Sequence, residues 1–277
     1  MIQHLKLAIK QCIPLVNVYI FNYLPLFWFK DTKNFGDALN LYLAKKIAKK
    51  PVAWVHPSYW PFKHYLMVGS ISQFARRYSI IWGSGVIADE GELPTPAKVV
   101  ATRGPKSRQR FLNQGIDCPE IYGDPAILLP LFYHPKRTTK KWKLGVIPHY
   151  IDKPSRVVSE FEKHEGVHIL DIETDNIEEF IDGILQCDAI ISSSLHGIIV
   201  AETYGIPAGW LTLSDKLMGG GFKFEDYFES TGRYGMEPLK LDIMNINVDE
   251  ILASLPNKTV VFDRKKLLES CPFLAAE

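Results

Sequence analysis

The chain has 277 residues, a formal net charge of +1 and ordinary apolar and charged fractions. That length holds two domains of about 100–150 residues each, and the near-neutral charge gives no whole-molecule case for nucleic acid. The four cysteines, Cys12, Cys118, Cys187 and Cys271, are scattered without a CxxC pair, which argues against a disulfide framework or a zinc site and fits a reducing, cytoplasmic compartment.

Ile13 to Phe29 is a long apolar stretch behind Lys6 and Lys10, interrupted by Pro14, Asn17, Asn22 and Pro25. A spanning helix takes about 20 cleaner residues, and no small-residue cleavage site follows for a signal peptide. Residues 1–29 read first as a fold-embedded or dimer-packing segment, and next as a peripheral contact with the inner face of the cytoplasmic membrane.

Leu24 to Phe29 reads as a buried strand, and Asn34-Phe-Gly-Asp37 turns the chain into an amphipathic helix at Ala38 to Lys49. Strand-like runs follow at Val52 to Val55, Leu66 to Val68, Ile80 to Trp82 and Lys98 to Ala101, with a helix from Pro105 to Gln114. Pro130 to Lys143, with prolines and the basic cluster Lys136, Arg137, Lys140, Lys141 and Lys143, reads as a linker. A second series runs from a strand at Leu144 to Pro148 through a helix at Pro154 to His164, a strand at Val167 to Leu170 and a helix at Ile177 to Gln186. It reaches an apolar run, Ala189 to Ile191, that breaks into Ser192-Ser-Ser-Leu-His196-Gly197 and starts another helix. Amphipathic stretches at Val248 to Leu255 and Asp263 to Leu268 close the chain. Strands alternating with helices predict an α/β fold of two Rossmann-like domains facing a cleft, residues 1–132 and 133–277, with the tail crossing back.

Candidate functional residues collect at the predicted strand ends: Asn34, Asp37, Gly83, Ser84, Arg103, Asp124, His149 and Ser192 to His196. The turn before His196 is a strand-to-helix junction, where free N–H groups and the helix dipole favour an anion. A histidine there can also move protons near neutral pH. Asn34 and Asp37 have a capping reading beside the functional one. Trp82-Gly-Ser-Gly85 lets backbone approach a ligand but lacks the full GxGxxG pattern and a Walker lysine. In Thr102-Arg-Gly-Pro-Lys-Ser-Arg108 three cations open a helix, where the dipole disfavours them and an anionic ligand would offset the cost. Arg103, at the strand end, suits a carboxylate or phosphate fork. Lys223 and Arg233 follow the glycine run Gly219-Gly-Gly221, which reads as a mobile lid or as a flexible loop with a surface helix. No metal-ligand spacing is evident.

The ordered set NFGDALN, WGSGV, TRGPKSR, YGDPAILLP, GVIPHY, ISSSLHGIIVAETYGIP and KFEDYFESTGR resembles the polysaccharide pyruvyl transferase family, particularly its bacterial exopolysaccharide and capsule branch, over roughly residues 24 to 233. The resemblance implies a GT-B-like arrangement and transfer of a pyruvyl group from phosphoenolpyruvate to a sugar diol, with release of phosphate and no further cofactor. The acceptor would be a surface polysaccharide repeat unit or its lipid-linked precursor. It makes His196 the central catalytic element, with Asp37 as a hydroxyl base. Arg103, Ser193, Ser194, Gly197, His149, Lys223, Arg233, Asn34, Gly83 and Ser84 become substrate-binding candidates. Some members carry arginine two residues before the motif histidine, where this chain has Ser194. Another cation must then serve the donor, with Lys223, Arg233 and His149 as candidates. Two other readings stay open: a GT-B glycosyltransferase using a nucleotide sugar, and a non-catalytic saccharide-binding protein.

Overall fold

The computed structural model describes residues 13–135, 138–214, 219–241, 245–256 and 260–275. Residues 1–12 of the N-terminal segment, and Lys136 and Arg137 of the basic cluster, lie outside the described residues. Strands β1 (Leu24–Phe27), β2 (Val52–Trp54), β3 (His64–Leu66), β4 (Ser79–Trp82) and β5 (Lys98–Ala101) form a parallel sheet in the order β2-β1-β3-β4-β5. Strands β6 (Trp142–Ile147), β7 (Val167–Ile169), β8 (Cys187–Ser192) and β9 (Ala208–Trp210) form a second parallel sheet in the order β7-β6-β8-β9. The chain is thus α/β, with two parallel-sheet regions. β1 and β3 are buried along their whole length, as befits strands covered on both faces.

The helix Phe35–Ala48 begins three residues before the predicted Ala38 because Asn34 takes the cap. The Asn34 Oδ1 accepts from the Gly36 and Asp37 N–H groups at 2.9 and 3.4 Å. Asn40, one turn further on and buried, bonds both backbone groups of Val68. Those bonds end β3 at Leu66 rather than at the predicted Val68, and they fix the helix to the loop after β3.

The helix Leu195–Thr203 is buried at every position but His196, as a helix apolar all round must be. It packs between β8, β9 and the 3-10 helix Pro125–Leu131. That 3-10 helix and β9 are not among the predicted elements, whereas the helix Phe222–Ser230 stands where the loop reading puts a surface helix. The stretch read as a linker begins inside the first of them and ends in β6.

The two sheets share one apolar cluster, which joins Leu24, Phe35, Trp82 and Leu128 to Ile147, Phe180, Ile190, Ile198 and Phe224. The tail adds to this joint. The Trp82 indole donates to the Leu267 carbonyl at 3.1 Å, and the Phe273 ring meets Tyr65 and Trp82 edge-on. Cys118, Cys187 and Cys271 are free and buried. Burial pushes their thiols up to about 11, about 12 and about 12, so they are inert packing groups at neutral pH.

Residues 13–19 are helical and leave Ile13, Val16, Tyr19, Ile20 and Phe21 exposed. Among the described residues no helix is long and apolar enough to cross a membrane.

Candidate active site

Strand order locates the site. In the first sheet β1 lies between β2 and β3, so its connections leave to opposite sides, and a crevice opens at the carboxyl ends of β1 and β3. The second sheet repeats this arrangement, with β6 between β7 and β8. The two crevices meet in one cleft of about 370 Å³. Asn34 and Asp37 reach it from beyond β1, Gly69 and Ser70 from beyond β3, His149 and Tyr150 from beyond β6, Ser194 and His196 from beyond β8, and Lys223 from its own helix.

His196 is the centre of this arrangement. A Cβ on Gly36 would stand 2.1 Å from the His196 Nδ1, so the imidazole lies directly on the bare backbone of the Phe35 helix. On its other edge, Nε2 is 3.6 Å from the Asp124 Oδ2, beyond hydrogen-bond length. That nitrogen is buried and has no hydrogen-bond partner among the described residues, so it is open to a ligand atom. The Asp124 carboxylate is held in turn by the N–H groups of Gly69 and Ala126. Burial pushes the Asp37 carboxyl up to about 6, while its neighbour His196 pulls it back.

The opposite wall carries the positive charge. Burial, then the Arg103 guanidinium, bring the Lys223 ammonium down to about 8. Lys223 makes no ion pair among the described residues. The carboxylate it senses, Asp152, is already held by the Ser193 and Ser214 hydroxyls at 2.8 and 2.5 Å. His149 is driven down to about 4 by burial, with Lys223 and His196 adding to the effect, so its ring is neutral. Its backbone N–H donates to the Ser193 Oγ at 2.8 Å. Ser194 caps the Leu195 helix without a side-chain bond; the Gly197 N–H turns back to the Ser194 carbonyl at 3.1 Å, and the Leu195 and His196 N–H groups receive no side-chain cap from it.

The cleft thus gathers Asn34, Asp37, His149, Ser194, His196 and Lys223. Six other candidates lie behind its walls. Arg103 is fully buried: Nε donates to the Asp226 Oδ2 at 2.9 Å, one terminal nitrogen to the Ser70 Oγ at 2.6 Å, the other to the Val86 carbonyl at 2.9 Å. Its fork, expected to hold a ligand, is spent on the protein. Arg233 holds Glu202 through two bonds of 2.6 and 2.8 Å, with Tyr227 on the same carboxylate. Ser193 serves Asp152 and His149. Gly197 and Gly83 give close approach to Ser192 and Pro125. Ser84 donates to the Gly69 carbonyl and shapes the loop after β3. The ends of the glycine run before Phe222 are packed: a Cβ on Gly219 would stand 2.0 Å from the Ile87 carbonyl oxygen and one on Gly221 2.7 Å from the Trp210 ring, while Gly220 faces open space. Asp226 of the helix after it accepts from the Ser107 N–H and hydroxyl, which ties that helix to the helix Pro105–Leu112.

Asp152 and Ser70 escaped the sequence reading, since neither stands in a motif that marks it. Among the described residues no group of three His, Cys, Asp or Glu side chains is placed to hold a metal ion.

Two parallel sheets whose carboxyl ends close on one cleft define an α/β protein with a crevice where this class of fold holds its ligands. The chain belongs to the polysaccharide pyruvyl transferase family: the family's model matches residues 34–215, from the Asn34 cap to just beyond β9. It is 32% identical over 213 residues to the uncharacterized protein L143 of Acanthamoeba polyphaga mimivirus, covering 74% of this chain and 73% of that one. It is 23% identical over 220 residues to the succinoglycan biosynthesis protein ExoV of Rhizobium meliloti (strain 1021), covering 75% of this chain and 65% of that protein. A solved structure of an uncharacterized Klebsiella pneumoniae protein superposes with a TM-score of 0.48 at 12% identity, over 82% of this chain and 96% of the other. Family membership makes the chain a transferase with a pyruvyl-transfer role in polysaccharide biosynthesis.

Proposed function

We propose that the cleft transfers the pyruvyl group of phosphoenolpyruvate to two hydroxyls of a sugar, closing a cyclic ketal and releasing phosphate. The observation that carries this reading is the unpartnered, buried Nε2 of His196 at the meeting point of both strand-end crevices, with Asp37 beside it.

The donor is a small anion with a carboxylate and a phosphate. Lys223 and the open N-terminus of the Leu195 helix offer it a charge and backbone donors, which replaces the arginine absent at Ser194. Arg233 is committed to Glu202 and His149 is neutral, so neither serves as that cation. His196 gives a proton to the methylene carbon, and the adjacent carbon becomes oxocarbenium-like. A sugar hydroxyl attacks that carbon as Asp37 takes its proton. Phosphate leaves with the enol oxygen, and the second hydroxyl closes the ring, its proton leaving with the phosphate. A carboxyl near 6 is ionised at neutral pH yet still basic enough to matter, which suits the hydroxyl base. The two parallel-sheet regions around one cleft fit the GT-B-like arrangement that the resemblance implies.

Phosphate release from phosphoenolpyruvate with a 4,6-unblocked galactoside or mannoside tests the reading, with the acceptor's mass followed alongside. The acceptor gains pyruvate minus water, and His196→Ala abolishes both signals. Undiminished turnover in that variant, or thermal stabilisation by UDP- or GDP-sugars and not by phosphoenolpyruvate, would overturn it.

A further inference from the structure

The net charge of +1 conceals a division along the chain. The first 88 residues hold eleven lysines and arginines against two acids, Asp31 and Asp37, a formal +9, while the rest hold 21 against 29, a formal −8. Both of those acids line the cleft, at the carboxyl ends of the first sheet's strands. Cations gather at the opposite end. The five strands of that sheet are parallel, so their amino ends share one edge. Lys49 and Lys50 precede β2, Lys63 precedes β3, Arg76 and Arg77 precede β4, and Lys98 opens β5. All but Lys50 are exposed, and none of the six forms an ion pair among the described residues.

β1 is entered differently. The helical residues 13–19 turn back into it through Ile20 to Tyr23, whose N–H donates to the Asn17 carbonyl at 2.9 Å. The turn leaves Tyr19, Ile20 and Phe21 exposed by 68%, 70% and 60%. It is fastened to the basic edge, because the Tyr19 ring meets Phe62 edge-on at 5.6 Å and the Lys50 ammonium donates to the Asn22 Oδ1 at 3.3 Å. A cavity of about 400 Å³ opens at the same place, lined by Tyr19, Lys50, Phe62, Lys63 and Phe273 among others. Apolar and cationic side chains therefore share one face.

We infer that this face docks on an anionic lipid surface. Exposed aliphatic and aromatic side chains beside lysines suit the boundary between headgroups and acyl chains, where the first enter the apolar side and the second meet lipid phosphates. A nucleic acid would answer the cations but leave Ile20 and Phe21 without a partner. A second copy docked about a two-fold axis would set the same cations against their own images. The cleft opens at the other end of the strands, about 13 Å away for a strand of four residues. Docking thus leaves the cleft uncovered, and the face does not depend on the reaction assigned to it.

Flotation of the full chain with vesicles tests this assignment, with phosphatidylcholine alone set against two parts phosphatidylcholine to one part phosphatidylglycerol. The protein should float with the anionic vesicles, stay behind with the neutral ones, and come off as salt shortens the Debye length below about 10 Å. Lys49→Gln with Lys63→Gln should weaken binding about 25-fold, at about fivefold for each cation near an anionic surface. Ile20→Ser with Phe21→Ser should weaken it on the order of 100-fold. All four positions are exposed and outside the cleft, so both variants should melt at the wild-type temperature. If either variant unfolds, the wild-type comparison of the two vesicle types still decides the charge requirement. Equal flotation with both vesicle types, or none with either, would overturn the assignment. So would two results obtained without vesicle binding: retention of a duplex oligonucleotide that only the lysine variant loses, which marks a nucleic-acid face, and a dimer in sedimentation that the Ile20 and Phe21 variant dissolves, which marks a second copy.

Discussion

Two neighbouring regions bury charge in opposite ways. Around Arg103 every charge is answered: the guanidinium meets Asp226, Ser70 and Val86, and Asp226 also accepts from the Ser107 N–H and hydroxyl. Across Ser70, in the cleft, charges are left unanswered: Lys223 has no counter-ion among the described residues, the His196 Nε2 has no partner, and the Asp37 carboxyl is pushed up to about 6 by burial. Burial alone therefore does not mark a functional residue. The marker is a buried polar group that the fold leaves incomplete, because completion is what a substrate supplies.

Arg103→Ala tests the first half of that contrast and should have the largest effect. It leaves the buried Asp226 carboxylate without its counter-ion, held only by the Ser107 donors. Breaking a buried pair in this way costs about 3–5 kcal/mol, measurable by urea denaturation. A variant with wild-type stability that had lost only donor affinity would break the comparison and return Arg103 to the cleft.

Gly36→Ala tests the second half. Alanine is the better helix former, so the substitution does not weaken the helix by propensity. Its methyl would stand 2.1 Å from the His196 Nδ1, so the imidazole must move. Displacing a catalytic group by about 1 Å costs on the order of 100-fold in rate. The expected result is a folded protein, by circular dichroism, whose kcat falls by about that factor.

The contrast also explains what the sequence could and could not show. The strands of both sheets were legible because parallel strands are continuous apolar runs, and the ends of β1, β6 and β8 led directly to Asp37, His149 and His196. β9 escaped because Ala208-Gly-Trp210 carries too short a pattern. The helix Phe222–Ser230 reads as a surface helix, and its burial escapes because partners such as Arg103 and Trp210 lie elsewhere in the chain. Arg103 was assigned to a ligand because its own neighbourhood shows cations without acids. Its partner Asp226 lies 123 residues further on, and only folding brings the two together. Arg233 misled for the same reason, with Glu202 31 residues away. A free cation and a paired one look alike until long-range contacts are known.

Asp37→Asn turns the comparison into a stability measurement. The carboxyl ionises near 6 in the fold and near 3.8 when exposed, so between those values the folded state holds a proton that the unfolded state has lost. Stability must then fall as pH rises from about 4 to about 6 and stay lower above that. Asparagine removes the titration. The variant should be more stable than the wild type at pH 7 by about 1–3 kcal/mol, equal to it near pH 4, and inactive in phosphate release. Lower stability at pH 7 would mean that the Asp37 carboxylate is as well satisfied as that of Asp226.

Lys223 gives the smallest and most specific effect, on the pH dependence of kcat/KM. A donor-binding ammonium must be protonated, and this one loses its proton near 8. With Asp37 required as the base, the profile should rise through about 6 and fall above about 8. Lys223→Arg keeps a cation whose charge persists at any pH in this range, so the alkaline limb should shift upward while the acidic limb, set by Asp37, stays in place. Lys223→Met should raise the KM for phosphoenolpyruvate without moving the acidic limb. An alkaline limb unchanged by either substitution would mean that the substrate or another residue sets it. The cleft's positive wall would then be the helix N-terminus at Leu195 rather than a side chain.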